Sequence, residues 1–332
     1  MGTAIRATDL TKKFGNFTAV DAISLEIEEG KIVGFIGANG AGKTTAIKML
    51  CGLTTPTSGE AIVAGYDVGK HPEEVRKRIG YMSQRFSLYH DLTVRENIEF
   101  YGGIYGLDDT RLNERRDWVI EVADLKGKEN IMTSDLPLGW RQRLALGCAV
   151  LHQPSVVFLD EPTSGVDPVI RDKFWHLINQ LSHEGATIIV TTHHLEEAEF
   201  CASIIMMHMG RIVVNGKPEE IRREHADLPL FEIESGYTMK IFSLVEPEPW
   251  VTEAAILGGN VHVFAQTDNP VAALEDILRK NGIQQFAIKK AAPTLEDIFI
   301  NANRGAAARP EAGSATMSGL KNKGLKQSPK GE

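Results

Sequence analysis

Gly37-Ala38-Asn39-Gly40-Ala41-Gly42-Lys43-Thr44 fits the spacing G-x-x-x-x-G-K-[ST], and the residues on either side decide how it is read. Upstream, Ile32, Val33, Phe35 and Ile36 make an apolar run of strand length; downstream, Thr45 to Leu50 reads as the first turns of a helix. Strand, glycine-rich turn and helix in that order predict a phosphate-binding loop. Backbone N–H groups of the turn surround the phosphates, and the helix N-terminus adds partial positive charge. Lys43 then reaches the β- and γ-phosphates, and the Thr44 hydroxyl is placed for Mg²⁺. A chance lysine beside a glycine turn would lack the flanking strand and helix.

Three later runs, Val156 to Leu159, Thr187 to Val190 and Ile204 to Met207, are too densely apolar for strands with one face in water. They fit a parallel sheet covered on both sides. Between the first two, Phe174, Leu177, Ile178 and Leu181 keep i, i+3, i+4, i+7 spacing in a helix over 168–182. This alternation predicts an α/β core. The first thirty residues instead alternate with period two. Ile23, Leu25 and Ile27 share one face and Ser24, Glu26 and Glu28 the other, which predicts an antiparallel β-subdomain.

From about residue 226 the texture changes. Segments 230–234, 237–245, 261–266 and 285–290 read as strands, and 270–280 as a helix with Val271, Leu274 and Leu278 inward. Thr294 and Asp297 have the spacing of a capping box opening a last short helix. A small second α+β domain is therefore expected over 226–303. Residues 304–332 are Gly, Ala, Ser, Lys and Pro with almost no large apolar side chain, and predict a disordered tail.

The 332 residues suffice for about two domains. A net charge of −8 advertises no nucleic-acid-binding surface. The apolar stretches are strand-length, so none predicts a membrane span. The start Met1-Gly2-Thr3 lacks the basic and apolar regions of a signal peptide, which predicts a cytoplasmic protein. Cys51, Cys148 and Cys201 are odd in number and widely spaced, and read as reduced, buried thiols.

The run Val156 to Leu159 ends in Asp160-Glu161. A strand end of this kind delivers one carboxylate to a magnesium shell and the next towards an attacking water, as phosphate-bond hydrolysis requires. Asp160 is the expected metal ligand and Glu161 the expected general base.

With these residues in this order, the chain resembles ATP-binding-cassette (ABC) ATPases over residues 1 to about 220. The resemblance implies an ABC nucleotide-binding domain of the P-loop NTPase fold at 1–225: a mainly parallel sheet core, the antiparallel β-subdomain and a helical subdomain at about 85–150. It implies ATP and Mg²⁺, with Gly37, Ala38, Asn39, Gly40, Ala41, Gly42, Lys43, Thr44 and Thr45 around the nucleotide. Gln84, in Gly80-Tyr81-Met82-Ser83-Gln84, matches the glutamine that touches Mg²⁺ or water and contacts the membrane partner. Together with Thr44 and Asp160 it makes the implied metal set. His193, in Thr191-Thr192-His193, matches the switch histidine for the γ-phosphate; His194 stands where the family usually has another residue. Phe14 matches the aromatic that stacks on adenine, with Phe17 a competing stacker. Ser164-Gly165-Val166-Asp167 matches the loop that faces an opposite subunit, although Asp167 before Pro168 is also a good helix N-cap.

One motif departs from the family pattern. Where ABC ATPases usually carry L-S-G-G-Q ahead of a basic helix, this chain has Leu136-Pro137-Leu138-Gly139-Trp140, then Arg141-Gln142-Arg143-Leu144. In the family this motif is offered across a dimer to the γ-phosphate on the other subunit. Leu136, Pro137, Leu138, Gly139, Trp140 and Asp167 are therefore the implied trans contacts. Pro137 removes both the hydroxyl and the N–H of the serine position, and Leu138 adds bulk where glycine allows close approach. Gly139 and the helix N-terminus keep donor capacity.

Exporter ATPases of the ABC-2 type resemble this chain even there, and Pro293-Thr294-Leu295-Glu296-Asp297-Ile298-Phe299 looks like the ending of their extra domain. The plainer reading of that segment is a helix packing Leu295, Ile298 and Phe299 into a core. The resemblance implies the ATPase subunit of an ABC-2-type exporter of a drug, lipid, polysaccharide or similar substrate. Its partners would be a second cassette, identical or paralogous, and a separate membrane permease holding it at the inner face of the cell membrane. The permease groove is expected at Gln84 and residues 85–105, with Phe86, Leu88 and Tyr89 partly exposed. Two other readings remain open. A soluble ABC ATPase of DNA repair or ribosomes would call for a coiled-coil insertion, paired cassettes, zinc cysteines or a basic face, which the sequence lacks. A low-turnover regulatory subunit is permitted by Pro137 and Leu138, while intact Lys43, Asp160, Glu161 and His193 argue against it.

Overall fold

The computed structural model describes residues 2–84 and 88–307. β1 (Thr3–Phe14) and β2 (Phe17–Glu28) form a long hairpin whose alternation sends Ile23, Leu25 and Ile27 into the core and leaves Ser24, Glu26 and Glu28 exposed. β3 (Ile32–Ile36) is buried along its whole length and leads through the glycine loop into α1 (Lys43–Leu50). β4 (Ser58–Val63) and β5 (Tyr66–Asp67) return to the hairpin, giving an antiparallel sheet ordered β2-β1-β4-β5.

Next come α2 (Pro72–Arg78), β6 (Ile79–Met82), α3 (Val94–Ile104), α4 (Asp109–Val122) and α5 (Leu138–Ala149). A capping box between Thr93 and Glu96 starts α3, and the Asp108 side chain caps α4. β7 (Val156–Asp160), α6 (Pro168–His183), β8 (Thr187–Thr192), β9 (Ser203–His208), β10 (Arg211–Gly216) and α7 (Pro218–Glu224) complete this part. The second sheet is ordered β10-β9-β3-β8-β7-β6, and every pair in it is parallel except β9 with β10. The three dense apolar runs all lie in it, buried on both faces. In α6, Phe174, Leu177, Ile178 and Leu181 face inward as their spacing requires.

The last sheet comes from β11 (Leu230–Glu234), α8 (Thr238–Val245), β12 (Val251–Leu257), β13 (Asn260–Ala265), α9 (Pro270–Lys280), β14 (Ala287–Lys290) and α10 (Leu295–Ala307). It is antiparallel, ordered β12-β13-β11-β14, and has its own core around Ile233, Ile241, Val261, Val263, Leu274 and Leu278. Two expectations are corrected here. Segment 237–245, read as a strand, is the helix α8: Ile241 and Val245 are both fully buried, four residues apart, which is one face of a helix. Its β-branched and aromatic side chains imitate strand composition, and burial on one helical stripe overrides that preference. The fourth strand is instead β12. The second correction is at the end of the chain, where α10 continues to Ala307, so 304–307 are helical; the rest of the expected tail lies outside the described residues.

α10 does not stay with the sheet that precedes it. Leu295 and Ile298 are buried in the core that also holds Phe174, Ile178, Val214 and Ile221. At its head Thr294 Oγ1 accepts from the Asp297 N–H at 3.2 Å while Asp297 Oδ2 accepts from the Thr294 N–H at 2.9 Å, the capping box expected from the sequence. Asp297 Oδ1 also accepts from His262 Nδ1 on β13 at 2.8 Å. The three cysteines are buried and free. Among the described residues no helix is long and apolar enough to cross a membrane.

Candidate nucleotide site

The strand order sets the site. β8 lies between β3 and β7, and β6 flanks β7, all four parallel, so the chain leaves each of them at the same edge of the sheet. At that edge β3 runs into the glycine loop, β7 ends on Asp160, His193 comes directly after β8, and Gln84 comes two residues after β6. A crevice beyond the carboxyl ends of parallel strands is where ligands bind in open α/β sheets.

Glycine is needed at two places in the loop for different reasons. A Cβ on Gly37 would sit 2.3 Å from the Met207 carbonyl oxygen, leaving no room for a side chain. Gly42, the N-cap of α1, has φ +103 and would clash with the Ala19 carbonyl at 2.5 Å. Beside the loop is a cavity of about 340 Å³ whose wall includes Asn39, Gly40, Lys43, Thr44, Thr45, Gln84 and Glu161. Its aromatic wall is Phe17. Phe14, expected to stack on adenine, does not line it; that ring is 55% exposed with the Lys12 ammonium 5.1 Å from its centre.

Lys43 is 4% exposed and its Nζ donates to the carbonyls of Gly37 (2.6 Å) and Ala38 (3.1 Å), with Glu161 Oε1 at 3.9 Å. Burial pushes its pKa below the usual lysine range, while the carboxylates of Glu161 and Asp160 pull it back up. Asp160 is 1% exposed, and its Oδ1 accepts hydrogen bonds from Thr44 Oγ1 at 3.1 Å and Thr191 Oγ1 at 2.7 Å. Glu161 has φ +50, a left-handed conformation costly for a residue with a Cβ. Its N–H donates to Thr191 Oγ1 at 2.8 Å, and its Oε2 accepts from Gln84 Nε2 at 2.8 Å and lies 3.8 Å from His193 Nδ1. Lys43, Thr44, Gln84, Asp160, Glu161 and His193 are thus brought together. The Thr44 and Asp160 oxygens are hard donors close to one another, a set that suits Mg²⁺, which takes few protein ligands beside phosphate oxygens.

Thr191 is a residue of this cluster that sequence reasoning passed over. One hydroxyl fixes both the Asp160 carboxylate and the Glu161 backbone. A hydroxyl two residues before His193 is its only trace in the sequence, and that trace acquires meaning once β7 and β8 pair with Asp160 opposite Thr191.

The implied trans residues gather around the head of α5. Pro137 caps α5, Leu136 is buried, and Gly139 sits where a Cβ would be 2.6 Å from Ile170 Cγ2. Leu138 Cδ2 is 3.5 Å from where a Cβ on Gly165 would be, so the head of α5 rests against the loop ending at Asp167. Asp167 is exposed and its side chain accepts from the N–H groups of Val169 and Ile170, capping α6 as its sequence context predicts. Trp140 Nε1 donates to the Asp124 carbonyl at 3.1 Å, which ties the indole to its own chain. Of the residues expected for permease docking, Tyr89 is 45% exposed, Leu88 is buried at 5%, and Phe86 lies outside the described residues.

A glycine loop between a buried parallel strand and a helix, with a carboxylate pair and a histidine on neighbouring strand ends, defines a P-loop NTPase cassette. Residues 20–164 match the ABC transporter family model. The chain is 32% identical to the Nod factor export ATP-binding protein I of Rhizobium sp. (strain N33), over 90% of this chain and 96% of that one. It is 45% identical to the "Probable multidrug ABC transporter ATP-binding protein YbhF" of Escherichia coli (strain K12), over 68% of this chain but only 39% of that longer protein. Among solved structures, the dimeric bacterial ABC transporter cassette MJ0796 superposes with a TM-score of 0.59 at 27% identity, over 64% of this chain and 98% of that one. The chain belongs to the ABC transporter family as an ATP-binding cassette, homologous to exporter ATP-binding proteins. Its fold and family are those of an ATP-hydrolysing enzyme that takes ATP with Mg²⁺.

Proposed function

We propose that the chain is the ATP-hydrolysing subunit of an ABC-2-type exporter, closing on two ATP molecules with a second cassette and driving a separate membrane permease from the cytoplasmic side. Residues 1–225 would be the cassette, with the helical part at about 85–150, and 226–303 the accessory α+β unit. The observation that carries the catalytic part is the convergence of Lys43, Gln84, Asp160, Glu161 and His193 on one side of the glycine loop. Support for export comes from likeness along nearly the whole length of an export ATP-binding protein, accessory region included. The cargo in this reading is a drug, lipid, polysaccharide or similar substrate; the relatives' own names are those of a probable multidrug transporter and of Nod factor export.

In this reading Thr44, Gln84 and Asp160 would hold Mg²⁺, which would neutralise phosphate charge, and the loop N–H groups with Lys43 orient the phosphates. Glu161 accepts the proton of the attacking water, Gln84 and His193 fix that carboxylate's direction, and His193 reaches the γ-phosphate. Phe17, the aromatic on the cavity wall, covers the base. Glu161→Gln keeps the phosphate cradle while removing the base, so binding of Mg·ATP should persist and steady-state hydrolysis should fall by about 10²–10⁴-fold. Unchanged hydrolysis would remove Glu161 from the mechanism. Negligible turnover by the unsubstituted chain, with its permease present, would favour the regulatory-subunit reading.

A further inference from the structure

Glu197 is a buried carboxylate with no part in the proposed hydrolysis. It lies in the 3-10 turn Leu195–Phe200, four residues past His193, and is 1% exposed. Its Oε1 accepts the hydroxyl hydrogen bond of Thr163 at 2.6 Å and is 3.7 Å from Arg171 Nε. Among the described residues its Oε2 has no hydrogen-bond partner, and neither does Arg171 Nε. A carboxylate taken so completely out of water and so sparingly paired is poor for stability, and calls for another explanation.

Its partner supplies one. Thr163 is itself 1% exposed and stands two residues after Glu161, at the start of the loop that ends at Asp167. The next residue, Ser164, accepts from Gln142 Nε2 of α5 through its carbonyl at 3.2 Å, and Gly165 rests against Leu138. One unbroken set of contacts therefore runs from the turn behind His193, through Glu197 and Thr163, along the loop to the head of α5. Its beginning is beside one nucleotide; its end is the surface that, in the two-cassette reading on which this inference rests, meets the other.

We propose that Glu197 is a positioning residue: by holding Thr163 it keeps the 161–167 loop in register with the switch segment, so that occupancy of the γ-phosphate position is passed to Asp167 and Leu138. Thr163 is the lever for testing it, because valine has the same shape without the hydroxyl and serine keeps the hydroxyl.

Two readouts on the full chain judge the proposal. In the first, Thr163→Val and Glu197→Gln each lower kcat for ATP about tenfold or more with KM changed by less than about twofold; their combination is no worse than the poorer single variant, and Thr163→Ser restores turnover. Losses that multiply, or a loss in KM alone, would overturn the latch. In the second, backbone hydrogen exchange over 163–167 slows when Mg·ATPγS is added to the unsubstituted chain. In Thr163→Val the slowing disappears although the nucleotide still binds. A response that survives in Thr163→Val, or is missing from the unsubstituted chain, would overturn it as well. The second readout needs no turnover, so an inactive chain would sink the proposed function while the latch is still decided by exchange.

Discussion

Lys43 is held by two carbonyls of its own loop and faces Glu161 across 3.9 Å, so its charge has partners within the protein. Phosphate oxygens replace those partners with stronger, charge-assisted ones. Lys43→Ala should therefore weaken Mg·ATP binding by ~1.5–3 kcal/mol, roughly 10- to 160-fold, as calorimetry would show. Thr191 makes a different prediction, because it touches the Asp160 carboxylate and the Glu161 backbone N–H and is not among the residues lining the cavity. Thr191→Val removes the hydroxyl that fixes Asp160 and the left-handed Glu161. Turnover should fall about tenfold or more while the KM for ATP moves little, at a stability cost of ~1–3 kcal/mol. Equal losses in kcat and binding would show that Thr191 acts on the whole pocket and does not set the direction of Glu161.

At the level of elements, the head of α5 is the unusual feature. Pro137 at the cap cannot donate, Leu138 leans on Gly165, and Trp140 is tied back to Asp124. In a homodimer both sites would meet this surface, and the trans contact would be weak at each. Replacing Pro137 by Ser together with Leu138 by Gly restores a hydroxyl, an N–H and close approach, and one donor to a charged phosphate is worth ~1.5–3 kcal/mol. ATP-dependent dimerisation should tighten and basal hydrolysis rise, measured by sedimentation and a steady-state assay. If neither changes, the signature is not the limiting contact.

At the scale of the whole molecule, α10 follows the third sheet in sequence but packs Leu295 and Ile298 into the core that holds Phe174, Ile178, Val214 and Ile221. Ile298→Ala should cost ~2–5 kcal/mol and lower the melting temperature, although the residue lies far along the chain from the glycine loop. The joint between α10 and β13 is the His262–Asp297 pair. The hydrogen bond to Asp297 raises the His262 pKa above its ordinary value against the effect of burial. Burial pushes Asp297 up, but the bonds from His262 and Thr294 outweigh it and hold that carboxyl below its ordinary value. The histidine contribution is thus complete below about pH 6.5 and is lost as pH rises through the raised value; the aspartate contribution is complete above about pH 3.9 and is lost as pH falls through the lowered one. Urea midpoints should decline from pH 6 towards pH 9 in the unsubstituted chain, and this part of the slope should vanish in His262→Gln. The same slope in both would show that the pair does not govern it.

Local chemistry and periodicity were legible in the order of residues alone. The loop Gly37 to Thr44, the carboxylates ending Val156–Asp160, the period-two face of Ile23, Leu25 and Ile27 and the capping box at Thr294 could be read there because each depends on residues close together in the chain. The remaining features depend on packing in three dimensions, because those interactions join residues far apart in sequence. Thr191 gains its role from lying opposite Asp160 in a parallel pair, and Phe17 rather than Phe14 lines the cavity because of where the hairpin is packed. Glu197 meets Thr163 across a separation of 34 residues. In 237–245, Ile241 and Val245 find a buried stripe on a helix, a choice that β-like composition conceals until the sheet beneath them exists.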